Sequence, residues 1–128
     1  MRALLDPHAF LWWTTDDARL SDQAREIFAD GRNELFFSAA SGWEIAIKAA
    51  LGKIQVPEDL EKFLVEQLSR NAIQVLPVHL SHTLHVYTLP NHHRDPFDRL
   101  LVAQALIEKV PILSADPYIS RYPAGTIW

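Results

Sequence analysis

"DPFDRLLVAQALIEKVPILSADP" (residues 95–117) holds the transition on which the fold reading turns. Asp95 stands at a cap position and Pro96 at the first helical position, where a missing N–H removes no hydrogen bond. Lys109 falls in the last turn, where a cation suits the negative helix end. The apolar spacing over 96–108 is helical; then the pattern changes. "VPILSA" (110–115) is a short continuous apolar run, and Asp116-Pro117 stops it. A helix that feeds a buried strand ending in an acid is a building unit of an α/β sheet.

The same alternation runs through the rest of the chain. "RALLD" (2–6) reads as a strand stopped by Asp6-Pro7, and "HAFLWWT" (8–14) as a short helix. Ser21 caps a helix over "DQAREIFAD" that closes near Gly31. "ELFFS" (34–38) is a strand, and "ASGWEIAIKAALG" a helix with Ser41 near its start and Gly52 just past its end. Pro57 opens the next helix, whose Leu60, Phe63, Leu64 and Leu68 recur at helical spacing. "AIQVLPV" (72–78) is a third strand, and "LSHTLHVYTLP" a helix ending near Pro90. "NHHR" is a polar loop, a short helix starts at Asp116, and "GTIW" is a last strand. The expectation is one α/β domain over residues 1–128 with a mostly parallel central sheet flanked by helices. Strands that are apolar throughout belong to sheets covered on both faces. Ligands of such sheets bind beyond the carboxyl ends of the strands. If the first and fourth strands are parallel neighbours, Asp6 and Asp116 share that edge.

Composition narrows the function. With 128 residues and a hydrophobic fraction of 48%, the chain suits one core. It has neither an apolar run approaching ~18 residues nor the apolar stretch of a signal peptide, so the expectation is a cytoplasmic protein with no membrane association. The absence of cysteine excludes disulfides and thiolate chemistry. Sixteen acids against twelve bases give a net charge of −4. Proteins that bind nucleic acid mainly by neutralising phosphate are usually basic, so a passive binder is disfavoured.

Five acids then carry the question, and each has two readings. Asp6 and Asp116 are helix caps or strand-end ligands, with Ser114 beside Asp116 as an orienting hydroxyl. Asp95 is the best pure cap, because a long helix starts there. Asp98, one turn in, is a favourable charge near a helix N-terminus or a ligand. Glu44 is an i,i+4 partner of Lys48 or a lone acid in an apolar helix. Carboxylates that converge repel one another and call for a cation unless protonated. Oxygen ligands without cysteine favour Mg²⁺ or Mn²⁺. Acids that bring such ions against a phosphodiester are a known arrangement for hydrolysing nucleic acid.

Four segments in order, "LLDPHAFLWW", "SAASGWEIAIK", "RDPFDRLLVAQA" and "PILSADPYISRY", resemble the motifs of the PIN-domain ribonucleases, and within them the VapC-like toxins of type II toxin–antitoxin systems. The resemblance spans nearly the whole chain. It implies a parallel sheet flanked by helices and a metal site of Asp6, Glu44, Asp98 and Asp116, with Ser114 in support; Asp95 stays a cap by its place before the long helix. It also implies divalent-metal RNA cleavage, an antitoxin partner and a homodimer. Pro7 departs from the Thr or Ser that usually follows the first acid. The rival functions are an inactive RNA- or protein-binding module on the same fold, and another metal-dependent phosphoesterase.

Other features have milder explanations. His79, His82 and His85, and the adjacent His92 and His93, suggest zinc, but histidines along a helix edge are more often exposed, and structural zinc needs four closed ligands. Trp12 and Trp13 suit base stacking or core packing. Arg94, Arg99, Lys48 and Lys53 suit phosphate contacts or a solvated face.

Overall fold

The computed structural model describes residues 1–57 and 59–128. Its five strands are β1 (Arg2–Leu5), β2 (Glu34–Ser38), β3 (Gln74–Leu76), β4 (Ile112–Leu113) and β5 (Thr126–Ile127). All pair in parallel, in the spatial order β3-β2-β1-β4-β5. The chain steps outward from β1 to β2 and β3, then returns to the other side of β1 with β4 and β5. The direction of winding reverses between β1 and β4, the place where open α/β sheets bind ligands. There Leu4 pairs with Ile112 and Leu5 with Leu113.

Among the described residues six helices connect the strands: α1 (Pro7–Thr14), α2 (Asp22–Ala29), α3 (Ala39–Ala50), α4 (Leu60–Arg70), α5 (Leu80–His85) and α6 (Pro96–Glu108). Successive residues of β1 point to opposite faces. Leu5 joins a core with Phe10, Phe28, Phe37 and Ile45, whereas Leu4 joins another with Leu101, Val102, Ile112 and Ile119. A strand buried on both faces cannot alternate polar with apolar, which explains the continuous apolar run. Among the described residues no helix is long and apolar enough to cross a membrane.

Several boundaries differ from the sequence expectation. α3 begins directly after β2, capped by Ser38, whose hydroxyl accepts the Ala40 N–H at 3.1 Å, so Ser41 lies near its start as expected but is not the cap. Its end is as expected: Gly52 takes φ +73°, and the Gly52 and Lys53 N–H groups bond back to Ala49 and Lys48. α4 starts at Leu60 under an Asp59 cap, not at Pro57; Glu58 lies outside the described residues. β3 spans 74–76 rather than 72–78, because Ala72 (φ 52°) still completes the exit from α4. β4 spans 112–113 rather than 110–115, since Lys109 ends α6 in the left-handed region and Pro111 has no N–H. α5 tightens into a 3-10 turn at Val86–Thr88, because Pro90 forces Leu89 into extended backbone. After Asp116 there is only a turn and a 3-10 segment, Ile119–Arg121, before β5 begins at Thr126.

Candidate functional site

Asp6 leaves β1 and caps α1: its Oδ1 accepts the His8 N–H at 2.8 Å. Its Oδ2 accepts the Ser114 hydroxyl proton at 2.6 Å, and the Ser114 oxygen accepts the Asp116 N–H at 3.0 Å. The ends of β1 and β4 are therefore latched together, and Asp6, only 4% exposed, has both carboxylate oxygens engaged. Burial by itself pushes the Asp6 carboxyl up. The hydrogen bonds from the His8 ring, the Ser114 hydroxyl and the His8 N–H outweigh it and hold the group below the usual carboxylate range. The same bond to Asp6 raises the His8 imidazole, against a smaller loss from burial.

The second part of the site is the start of α6. Asp95 caps it, accepting the Phe97 N–H at 2.8 Å and the Asp98 N–H at 3.4 Å. The Asp95 N–H in turn donates to His93 Nδ1 at 3.2 Å. That bond leaves the proton of a neutral imidazole on Nε2, which lies 2.8 Å from Asp98 Oδ2 and 3.7 Å from Asp116 Oδ2. His93, Asp98 and Asp116 form a group whose candidate ligand atoms all lie within 4.8 Å of one another. In this tautomer, however, Nε2 is a donor, so His93 stands where a cation would and lends it no lone pair.

Glu44 comes from α3. It is 3% exposed, and its Oε2 accepts from Lys48 Nζ at 2.6 Å. The local i,i+4 pair is thus present. Burial alone would lower the Lys48 ammonium, but the bond to Glu44 and attraction to Glu44, Asp95 and Asp98 raise it.

Asp98 links these parts. Burial, followed by repulsion from Asp95, Asp6, Glu44 and Asp116, pushes its carboxyl up to about 7. The other three acids of the sequence motifs, with Asp95, therefore act on one group. Asp6 accepts from His8 and Ser114, Glu44 from Lys48, Asp98 pairs with His93, and Asp116 accepts the Tyr118 N–H at 2.8 Å, while one oxygen each of Asp98 and Asp116 lie within 4.8 Å of each other. Hard oxygen donors crowded enough to hold a proton near neutrality fit a divalent cation.

The site also has bases, of which the sequence reading paired only Lys48 with its acid. His8 pairs with Asp6, Lys48 with Glu44, and His93 with Asp98 and Asp116. Their signals were weak but present: His8 follows Asp6 by two residues, and "NHHR" stands directly before Asp95. The remaining histidines gather no metal set among the described residues. His82 is enclosed, with Nε2 3.0 Å from Glu108 and Nδ1 accepting the His79 N–H. Arg99 is half-buried. It donates to the carbonyls of Pro90, Val86 and Leu89 and to the Tyr122 hydroxyl, pinning the 86–90 segment to α6.

A parallel α/β sheet that collects carboxylates at its carboxyl edge, beside the reversal of strand order, defines a class of acidic-site α/β proteins. Within that class the chain belongs to the PIN domain family, whose model matches residues 3–125. Ribonuclease VapC16 of Mycobacterium tuberculosis (strain ATCC 25618 / H37Rv) is 39% identical over 64 residues, 50% of this chain and 45% of that protein. The match thus spans about half the length of each. A chain of the VapBC2 structure from Rickettsia felis, bound to a DNA fragment from their promoter, aligns over 100% of this chain and 98% of its own. Its TM-score is 0.72 at 15% identity, a likeness of fold.

Proposed function

We propose that this chain is a divalent-metal-dependent endoribonuclease acting as the toxin of a toxin–antitoxin pair. The observation that carries this reading is the convergence of Asp6, Glu44, Asp95 and Asp116 on the Asp98 carboxyl. In this reading Asp6, Glu44, Asp98 and Asp116 hold the ion, with Ser114 orienting Asp6 and Lys48 tempering the charge of Glu44. A bound Mg²⁺ or Mn²⁺ would supply the positive charge that draws a phosphodiester to an acidic edge and polarises it toward attack by water. The carboxylates position that water and accept its proton.

The ribonuclease named among the relatives supports RNA as substrate. The VapBC2 complex supports a protein partner of antitoxin type. Leu80, Leu84 and Tyr87, at i, i+4 and i+7, leave an exposed apolar stripe for such a partner or for a second copy in a homodimer. A single unit over residues 1–128 in the cytoplasm completes the proposal. The rival reading, an inactive binding module, gives no reason for four acids that press on the Asp98 carboxyl.

The test is cleavage of single-stranded RNA by the purified chain. It should proceed in Mg²⁺ or Mn²⁺, stop in EDTA, and be lost in Asp98→Asn. Cleavage undiminished by EDTA overturns the metal mechanism. No cleavage of any RNA in either ion favours the binding module.

A further inference from the structure

Trp12 and Trp13 are adjacent on α1 but serve different surroundings. Trp13 stacks on Phe28, with centroids 5.0 Å apart and planes 6° apart, and its indole N–H donates to Asn71 at 2.9 Å. Both tryptophan rings pack against the core, and Trp13 is held there by these two partners. Trp12 is half-buried, and the Arg19 guanidinium lies 4.8 Å from its ring centroid. Arg19 Nε and Nη2 donate to the two carboxylate oxygens of Asp17 at 3.0 and 2.8 Å. This two-point grip sets the guanidinium plane and answers its charge, yet the Arg19 side chain stays 68% exposed. Trp128 meets Trp12 edge-on at 5.8 Å. A cleft of about 360 Å³ is lined by Trp12, Arg19 and Trp128 together with His8, Asp6 and Asp116. Aromatic rings and a held guanidinium thus open into the same space as two acids of the proposed site.

We propose that this cleft is a nucleobase subsite, taking the base of a nucleotide next to the scissile phosphate by stacking on the Trp12–Arg19 pair. The inference rests on the ribonuclease reading and adds where the RNA lies. A guanidinium already paired with a carboxylate is a poor phosphate ligand, but its flat face remains a stacking partner for a base. The Asp17 grip orders it before RNA arrives, so little further ordering is needed on binding. Stacking of this kind accepts every base. Lys53, which makes no ion pair among the described residues, lines the adjoining cleft with Arg19 and offers a cation to the next phosphate.

The test uses the full chain carrying Asp98→Asn in Mn²⁺, to keep RNA intact, and a labelled ribo-octamer read by fluorescence anisotropy. Arg19→Ala should weaken binding about fivefold or more, the lower end of what one stacked base contributes. Arg19→Lys should weaken it as much, since lysine keeps the charge and loses the plane. Melting temperatures identify any variant that fails to fold. An octamer with one abasic position should lose the same factor against the parent and lose nothing further against Arg19→Ala. Parent-like binding by Arg19→Lys alone would make Arg19 a simple cation and overturn the subsite. Parent-like binding by both variants, with the wild-type chain still cutting RNA, overturns the subsite and leaves the ribonuclease reading standing. A wild-type chain that neither binds nor cuts RNA overturns both.

Discussion

The Ser114 hydroxyl donates to Asp6 Oδ2 at 2.6 Å across 108 positions of sequence. The same oxygen accepts the Asp116 N–H, so one small side chain joins the ends of β1 and β4 and orients two acids. Both Asp6 and Ser114 are buried, and water cannot readily replace a lost partner. Ser114→Ala should therefore cost about 1–3 kcal/mol in a urea melt, the penalty of leaving buried polar groups unsatisfied. RNA cleavage should fall with it. An alanine variant as stable and as active as the parent would show that the latch is idle.

The Asp98 carboxyl gives the metal-free protein a pH dependence of definite sign. Its usual value is 3.8, and in the folded chain it is pushed up to about 7. Below about pH 4 both states hold the proton, and Asp98 costs no stability. Between about pH 4 and 7 the folded chain holds a proton that the unfolded chain has lost, so stability falls as pH rises, by up to a few kcal/mol. Asp98→Asn should flatten this slope and raise the melting temperature at pH 7 in EDTA while abolishing cleavage. A parallel pair of pH–stability curves for the two proteins would remove the crowding from Asp98.

Asp95 differs from Asp98 in role although three residues separate them. Asp95 accepts two N–H groups of the first turn of α6. Asp95→Ala should cost about 0.5–2 kcal/mol, as loss of a helix cap does. Asp95→Asn keeps an acceptor, removes one of the charges pressing on Asp98, and should retain much of the activity. If Asp95→Asn folds normally and is inactive, Asp95 belongs to the metal set.

Metal and His93 should compete. The imidazole stands between Asp98 and Asp116 with its proton toward them. Mn²⁺ should raise the melting temperature of the parent, because it binds the folded site and relieves repulsion. His93→Ala should give a larger rise at the same Mn²⁺ concentration, since no side chain has to yield its place. A smaller rise in the variant would make His93 a ligand.

Local chemistry made much of this legible in the sequence. Asp-Pro marks the starts of α1 and α6 because proline suits the first helical position and aspartate satisfies free N–H groups. The apolar runs announced strands buried on both faces, and the acids at strand ends could be picked out before any contact was known. A local rule failed at α4, which starts under Asp59 and not at Pro57; the other errors lie at short elements such as β3, β4 and the segment after Asp116. There pairing partners, and not propensity, set the length.

Tertiary structure alone decided that β4 lies beside β1 rather than outside β3. That choice brings Asp116 and Ser114 to Asp6, and no local pattern encodes it, because it depends on how helices from both halves cover the two faces of the sheet. It also decided which charge answers which acid, and which partners each tryptophan meets. Trp12 and Trp13 are the same residue type on one helix, separated by one position. The helix rotates them apart by about 100°, so Trp13 meets Phe28 and Asn71 while Trp12 meets Arg19 and the cleft beside the acids.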